Sequence, residues 1–346
     1  NQTNKCNLRC KYCYHADNGY DKEKMTDQVL EKAIAVTAPF FKRVEYNWHG
    51  GEPLIMGLDF YEQNSAAAAV VDTAQSVLDF DVKSLCFAKN DLLNRTEYTQ
   101  PCLVTCCLAM TAAILETGIA PNMTAGLSLG EYAAIATAGA MDIKTALLLV
   151  RKRGLLMQNA TKDGFGGMAA VLGLEPDVLE ALLKNTDAVT VANYNCPGQQ
   201  VITGETQALL EMIPRLKENG AKVIPLKVSG PFHTPLMAPA GDALAKRFAS
   251  ESFGEMQVPV LFNCLGREKA EQDSIPALLV KQVQSSVYME DTLRRLGELG
   301  VDHILEVGPG SALAGFVKKT LPGVVCASVE TTEQLNAALT AWKEEL

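Results

Sequence analysis

The sequence lacks the features that mark several specialised classes of protein. It contains no run of about 18 or more apolar residues, so we expect no membrane span. Its polar, cysteine-bearing N-terminus does not have the pattern of a signal peptide, so we expect a cytoplasmic protein. Acidic residues outnumber basic ones by 40 to 31, for a formal charge of −9, which argues against a general nucleic-acid binder.

Linkers and histidines are also scarce. The chain has four His residues, so few side chains can serve as a general base near neutral pH. It has 346 residues, which predicts about two domains. The composition changes near residues 56–64, yet no Gly/Ser or Pro linker marks the change. A hydrophobic fraction of 48% is enough for a sizeable core.

The apolar patterns predict an α/β protein. Before residue 56, a predicted helix at Thr26–Phe40 and a strand at Arg43–Trp48 make at most one or two βα units. After residue 64, helices and short strands alternate, and the predicted strands include Asn122–Gly126 and Lys222–Lys227. Between residues 166 and 228 the predicted order is βαββαβ, which indicates a ferredoxin-like insert at about 165–228.

A glycine-rich turn carries the first chemical motif. Residues 126–130 read G-L-S-L-G, a G-x-S-x-G sequence between a predicted strand and a predicted helix. Such a turn lifts the hydroxyl of Ser128 above the N-terminus of the helix. The backbone N–H of Leu129 can then stabilise an oxyanion.

A serine nucleophile needs a base, and elimination favours one histidine. His15 and His49 lie in the N-terminal segment, and His303 lies in an apolar run typical of a structural histidine. His233 lies in a loop after a predicted strand and is the best candidate. Arg153 lies on a predicted helix after the serine turn, and the residues that follow it are apolar. This pattern indicates that Arg153 turns inward, where it could bind a carboxylate bidentately.

Taken together, these residues resemble the malonyl-CoA:acyl carrier protein transacylases from about residue 57 to the C-terminus. The matching stretches are Thr99-Gln100-Pro101, GLSLGEYAA (126–134), VRKRGLLMQ (150–158), ANYNCPGQQVITG (192–204), GPFHTPLM (230–237) and EVGPG (306–310).

The resemblance implies an acyltransferase domain at 57–346, with an α/β-hydrolase-like core and the ferredoxin-like insert. It implies that Ser128 accepts malonyl from malonyl-CoA with His233 as base, and that acyl carrier protein then takes the group, without a cofactor. A backbone carbonyl near Gln282 would orient His233. Arg153 would pair with the malonyl carboxylate. Phe232, directly before His233, resembles the residue at this position in the malonyl-selective members of the family.

The resemblance also implies that Gln100 and the Leu129 N–H lie at the substrate. Acyl carrier protein is acidic, so Lys222, Lys318 and Lys319 are candidates for a docking surface. The family opens with a strand and a G-Q-G-x-Q loop that supplies a second oxyanion donor, and neither is found here. An inactive chimera is therefore one alternative, and a serine hydrolase is another. Arg153 argues against a lipase, whose acyl pocket should be apolar.

Ten cysteines include a second motif. Cys6, Cys10 and Cys13, with residues 48–53 (WHGGEP), resemble the radical S-adenosylmethionine enzymes over residues 1–62. The resemblance implies a [4Fe–4S] cluster and S-adenosylmethionine. Residues 1–56 are too short for the whole barrel, so a vestigial metal site or an inert extension is the alternative to radical chemistry. The apolar cluster Cys102, Cys106 and Cys107 is predicted to be buried free thiols.

Overall fold

A computed structural model describes residues 64–345, except for residues 89, 163, 185, 187, 227 and 229. The predicted helix Thr26–Phe40, the strand Arg43–Trp48 and the whole 1–56 segment lie outside the described residues. The cysteines of the predicted cluster lie there as well.

Helices dominate the described part of the chain, and side-chain caps fix where several of them begin. Asn64, Asp142 and Ser274 each accept a hydrogen bond from a backbone N–H in the first turn of their helix. The helices are α1 (Ser65–Val77), α2 (Val82–Phe87), α3 (Thr96–Glu116), α4 (Gly130–Thr137), α5 (Ile143–Gln158), α6 (Pro176–Leu183), α7 (Thr206–Glu218), α8 (Ala238–Phe248), α9 (Ile275–Gln284), α10 (Met289–Glu298), α11 (Ala312–Thr320) and α12 (Thr332–Glu345).

The strands of the described residues form three sheets, with orders β1-β6-β7, β10-β9 and β5-β2-β4-β3-β8. They are β1 (Thr124–Ala125), β2 (Gly166–Leu172), β3 (Val189–Cys196), β4 (Gln199–Glu205), β5 (Lys222–Pro225), β6 (Val260–Phe262), β7 (Arg267–Glu268), β8 (Val287–Tyr288), β9 (His303–Val307) and β10 (Val325–Val329). The combination of these sheets with surrounding helices is an α/β fold, as predicted.

The five-stranded sheet has two different faces. Its strands β5, β2, β4 and β3 are antiparallel neighbours, and β8 extends the sheet by pairing parallel with β3. One face packs under α6 and α7 through a core that includes Val171, Leu179 and Leu216. On the other, Met168 and Val201 pack against Phe232. This second face therefore lies beside the loop that carries the candidate base.

The short parallel pair β1 and β6 positions the serine turn. Thr124 pairs with Val260 and Ala125 with Leu261. Because parallel strands end at the same edge of a sheet, Gly126 and Asn263 leave their strands side by side. Two segments more than a hundred residues apart in sequence therefore meet at the turn.

Helices α3 and α5 pack unusually closely at the N-terminus of α3. Pro101 cannot donate to the carbonyl of Glu97, and that carbonyl accepts instead from Arg151 Nη1 at 2.8 Å. Gly154 removes the side chain at the contact, since a Cβ there would lie 2.8 Å from the carbonyl oxygen of Thr96. The approach places the inward-facing side of α5 in the core.

Helix α3 is long and apolar enough to span a membrane by length and composition. It packs instead inside the protein, where 12 of its 21 residues are buried, including Cys102, Leu108 and Ala113. This burial is typical of the core helix of a globular domain.

Several predicted elements have different bounds in the structure. The strand predicted at 122–126 covers only Thr124–Ala125, because Gly126 already belongs to the turn. The strand predicted to reach residue 227 ends at Pro225. The predictions missed β6, whose three residues are all buried and therefore show no alternation.

We expect Gly154→Ala to destabilise the protein by about 1–3 kcal/mol, because the new methyl group would meet backbone that cannot move away freely. Urea unfolding with an unchanged m-value would measure the loss. Gly315→Ala is the matched control in α11, where a Cβ meets nothing within 4 Å. That change should stabilise the helix by about 0.5–1 kcal/mol. Equal effects of the two substitutions would contradict the close-packing argument.

Candidate active site

The turn between β1 and α4 holds Ser128 in a strained conformation. Ser128 has φ 50°, and His233 has φ 62°; among the described residues these are the non-glycine residues with positive φ. The turn also requires Gly126, because a Cβ there would lie 2.1 Å from the carbonyl carbon of Gly130. Strained non-glycine residues cluster at functional sites, where the surrounding structure holds them.

Ser128 and His233 form a hydrogen-bonded pair. Ser128 Oγ lies 2.8 Å from His233 Nε2, and His233 Nδ1 lies 2.9 Å from the backbone carbonyl oxygen of Gln282. A carbonyl only accepts, so Nδ1–H donates to it and Nε2 is left to accept from the Ser128 hydroxyl. The carbonyl expected near Gln282 is in this place, and no carboxylate is needed to orient the ring.

Burial keeps this histidine neutral. His233 is 5% exposed. Burial, together with the nearby Arg153 guanidinium, lowers the pKa of His233 to about 4. The ring is therefore a free base throughout the neutral range.

Arg153 turns inward from α5, as predicted, and is 1% exposed. Its Nη2 donates to Ser128 Oγ at 3.1 Å and to Gln282 Oε1 at 3.0 Å. The Tyr132 ring lies 5.6 Å from its guanidinium carbon. Its Nε is buried and has no acceptor among the described residues. The site thus contains a desolvated cation with an unused donor beside the serine hydroxyl.

Gln282 contributes more than its carbonyl. Its side chain lies in the last turns of α9, accepts from Arg153 and donates from Nε2 to the carbonyl of Ser128 at 2.7 Å. One residue therefore contacts Ser128, His233 and Arg153. No local sequence pattern predicts these side-chain contacts, because they depend on how α9 packs against the turn.

The other predicted site residues lie around this centre. The Leu129 backbone directly follows Ser128 at the N-terminus of α4. Phe232 packs between the large helical core and the sheet face that contains Met168. Gln100 is buried on α3, but its Nε2 lies 3.5 Å from Met157 Sδ, and no hydrogen bond joins it to Ser128 within the described part of the chain.

Sequence reasoning missed Asn263 and Glu131. The Asn263 side chain bonds to the backbone of the serine turn, and Glu131 bonds to the Asn263 backbone. Glu131 could have been noticed because it directly follows the G-x-S-x-G motif. Asn263 offered no signal beyond an apolar run before it.

The cysteine predictions divide in two. Cys102 and Cys106 are buried and Cys107 is partly buried, and within the described part of the chain none of the three forms a disulfide, which agrees with the prediction for this cluster. Cys6, Cys10 and Cys13 lie outside the described residues. Within residues 64–345, gaps excepted, no group of three His, Cys, Asp or Glu side chains is arranged to hold a metal ion.

Residues 49–338 match the family model described as the acyl transferase domain. The chain belongs to the acyl transferase family. A similar relative is the malonyl CoA-acyl carrier protein transacylase of Bacillus subtilis strain 168, at 39% identity over 86% of this chain and 95% of the relative. The Staphylococcus aureus MRSA252 transacylase is 35% identical over 85% of this chain and 96% of its own length.

Solved structures give the same family. This acyl transferase aligns with the malonyl CoA-acyl carrier protein transacylase of Clostridium perfringens at TM-score 0.81 and 37% identity, covering 84% of this chain and 93% of the other. This acyl transferase also aligns with a chain from the solved complex of a type II PKS acyl-carrier protein with its malonyl-transacylase. The TM-score is 0.79 and the identity 35%, and the alignment covers 82% of this chain and 94% of the other. The acyltransferase fold and enzyme class therefore follow, and the radical-enzyme resemblance gains no support from these relatives.

The pKa of His233 predicts an unusual pH profile for this acyl transferase. Ser128 reactivity should stay level from about pH 7 to pH 5 and fall about tenfold per unit below about pH 4, because protonation of Nε2 removes the acceptor. The second-order rate constant for labelling of Ser128 by a fluorophosphonate measures this reactivity. Circular dichroism at each pH gives the folded fraction of the protein, by which the rate is corrected.

An acid limb centred near the ordinary histidine value of about 6.5 would contradict the effect of burial. Arg153→Gln provides a further check. Removing the neighbouring cation should move the acid limb to higher pH, because the cation is one of the two causes that lower the pKa of His233.

Proposed function

We propose that the chain transfers a malonyl group from malonyl-CoA to the phosphopantetheine thiol of acyl carrier protein, in fatty acid biosynthesis. The observation that carries the proposal is the buried guanidinium of Arg153, whose Nη2 lies 3.1 Å from Ser128 Oγ. A desolvated cation at the nucleophile favours an acyl group that brings its own carboxylate.

In the first step, His233 Nε2 takes the proton of Ser128 Oγ as Oγ attacks the thioester carbonyl. The negative oxygen of the tetrahedral intermediate lies near the Leu129 N–H, at the positive end of α4. Collapse breaks the C–S bond, and the imidazolium returns its proton to the coenzyme A sulfur. A malonyl ester of Ser128 and free coenzyme A remain.

The second step reverses the first with a different thiol. His233 takes the proton of the pantetheine thiol, and the sulfur attacks the ester carbonyl. Ser128 leaves with the proton from the imidazolium, so the enzyme returns to its starting state. No cofactor takes part in either step.

Arg153 selects the acyl group in this proposal. Its Nε and Nη2 can present two parallel donors to the malonyl carboxylate, replacing the bond to Ser128 Oγ. Phe232 limits the space beside the reacting carbon, and Gln100 lines the site from α3. An apolar acyl chain would leave the buried cation without an anionic partner, which disfavours a lipase activity.

Docking is proposed on exposed lysines. Lys222, Lys318 and Lys319 are exposed and could meet an acidic carrier protein, although the whole chain carries a charge of −9. Support for such a partner comes from the relative solved with its acyl-carrier protein. We also propose a cytoplasmic location for the enzyme.

Two structural assignments belong to the same proposal. The strand order β5-β2-β4-β3, together with the βαββαβ element order, supports a ferredoxin-like subdomain at about 165–228. The boundary at residue 57 and the α/β-hydrolase-like comparison of the core are likewise proposals.

Residues 1–62 require a separate proposal. The Cys6, Cys10 and Cys13 spacing fits a vestigial [4Fe–4S] site with S-adenosylmethionine, and only the sequence supports it. Anaerobic reconstitution with iron and sulfide tests it by absorbance near 400 nm. An unchanged spectrum would leave an inert extension, and Ser128 chemistry would be unaffected.

Intact-protein mass spectrometry after brief incubation with malonyl-CoA tests the transfer. We expect a gain of one malonyl group that Ser128→Ala abolishes, and loss of that gain when acyl carrier protein is added. Folded protein that gains nothing would favour the inactive-chimera alternative. Loss of the group to water without transfer would favour a serine hydrolase.

We expect Arg153→Ala to reduce loading from malonyl-CoA by about 10²-fold, because the substrate carboxylate would lose a buried charged partner. Loading from acetyl-CoA should change much less, so the ratio of the two rates is the measurement. Lys152→Ala is the matched control, since Lys152 is the neighbour of Arg153 on the same helix and its side chain is exposed. An unchanged ratio in Arg153→Ala would exclude this arginine from acyl selection.

A further inference from the structure

Both polar groups of the Ser128 peptide are held by side chains from distant segments. Its N–H donates to Asn263 Oδ1, and its carbonyl accepts from Gln282 Nε2 at 2.7 Å. With φ 50°, Ser128 occupies a region where a non-glycine residue persists only when its surroundings fix it. These bonds therefore set the backbone from which Oγ projects.

Asn263 uses all of its hydrogen-bonding groups. It is 1% exposed and directly follows β6. Its Nδ2 donates to the carbonyl of Gly126 at 2.6 Å, while Oδ1 accepts from Ser128. Its backbone N–H donates to Glu131 Oε2 at 2.5 Å, and its carbonyl accepts from the Tyr288 N–H at 2.9 Å. One rigid amide thus spans the serine turn.

Glu131 fixes the Asn263 backbone. It lies fully buried in the first turn of α4, three residues after Ser128. Burial raises the pKa of its carboxyl to about 8, and the Asn263 N–H is one of the groups that oppose this rise. Among the described residues, no hydrogen bond joins either Asn263 or Glu131 to Ser128 Oγ or to His233. Both therefore act on the nucleophile through its backbone.

We propose that Asn263 is a positioning residue for the transfer reaction and that Glu131 acts through Asn263. The proposal rests on the proposed function, in which Ser128 is the nucleophile. The Asn263 amide holds the turn so that Oγ stays within hydrogen-bond distance of His233 Nε2 and the Leu129 N–H keeps its place. A displacement of about 1 Å can cost about 10²-fold in rate.

The test measures Ser128 reactivity in two ways. We expect Asn263→Ala to lower kcat for malonyl transfer and the rate of fluorophosphonate labelling by about 10²-fold, with KM within about threefold. Thr105→Val is the matched control, because among the described residues its buried hydroxyl in α3 bonds to the Pro101 carbonyl of the same helix and to nothing in the site. The control should keep both rates.

Conservative and double variants separate positioning from general stability. Asn263→Asp keeps an oxygen for the Ser128 N–H and should lose less than Asn263→Ala. Glu131→Gln keeps an acceptor for the Asn263 N–H and should stay near the parent rate, whereas Glu131→Leu should lose part of it. Because Glu131 acts through Asn263, the Glu131→Leu/Asn263→Ala double variant should be no slower than Asn263→Ala alone.

Several outcomes would overturn the proposal. They are parent-like labelling in folded Asn263→Ala, a raised KM with kcat unchanged, or additive losses in the double variant. If Asn263→Ala does not fold, equal rates in Asn263→Asp, Glu131→Leu and the parent would overturn it instead. A parent protein that reacts with the fluorophosphonate but does not transfer malonyl would refute the proposed function alone, since labelling still reports Ser128 positioning.

Discussion

A guanidinium buried beside a serine hydroxyl is the constraint on which the site depends. Arg153 is almost wholly removed from water, so its charge acts strongly on every neighbour. It helps to keep His233 neutral. Burial raises the pKa of the nearby Glu131 to about 8, so near pH 7 that carboxyl offers little compensating negative charge. The free site is thus an electrostatic complement to an anion, which fits an acyl group with a carboxylate.

The second constraint is mechanical. The serine turn departs from favourable backbone geometry, and within the described residues a side chain, rather than a regular helix or strand bond, satisfies the N–H of Ser128. Its stability comes from Asn263 at the end of β6 and Gln282 at the end of α9. Holding the turn by side chains from two other elements makes nucleophile geometry a property of the whole core. Close packing of α3 on α5, at Gly154, contributes in the same way by fixing where Arg153 enters.

These dependences explain what sequence could and could not predict. Ser128 and Leu129 follow from a local motif, and His233 follows because few histidines compete. The inward orientation of Arg153 could be predicted from the apolar residues that follow it. The contacts of Asn263 and of the Gln282 side chain could not be predicted, because they arise from the parallel register of β1 with β6 and from the packing of α9. Gln100, placed at the substrate by resemblance, has its amide nitrogen against Met157, a contact that no local pattern encodes.

The low basicity of His233 also bears on why the proposed acceptor is a thiol rather than water. A base whose conjugate acid has a pKa of about 4 removes protons poorly. A thiol with a pKa of about 8.5 demands far less of it than water, at about 15.7. In the proposed reaction, a weakly basic histidine would therefore slow hydrolysis of the acyl-serine more than transfer to a pantetheine thiol. In the proposed reaction, desolvation of Arg153 and of His233 would thus favour both an anionic acyl group and its transfer to a carrier thiol.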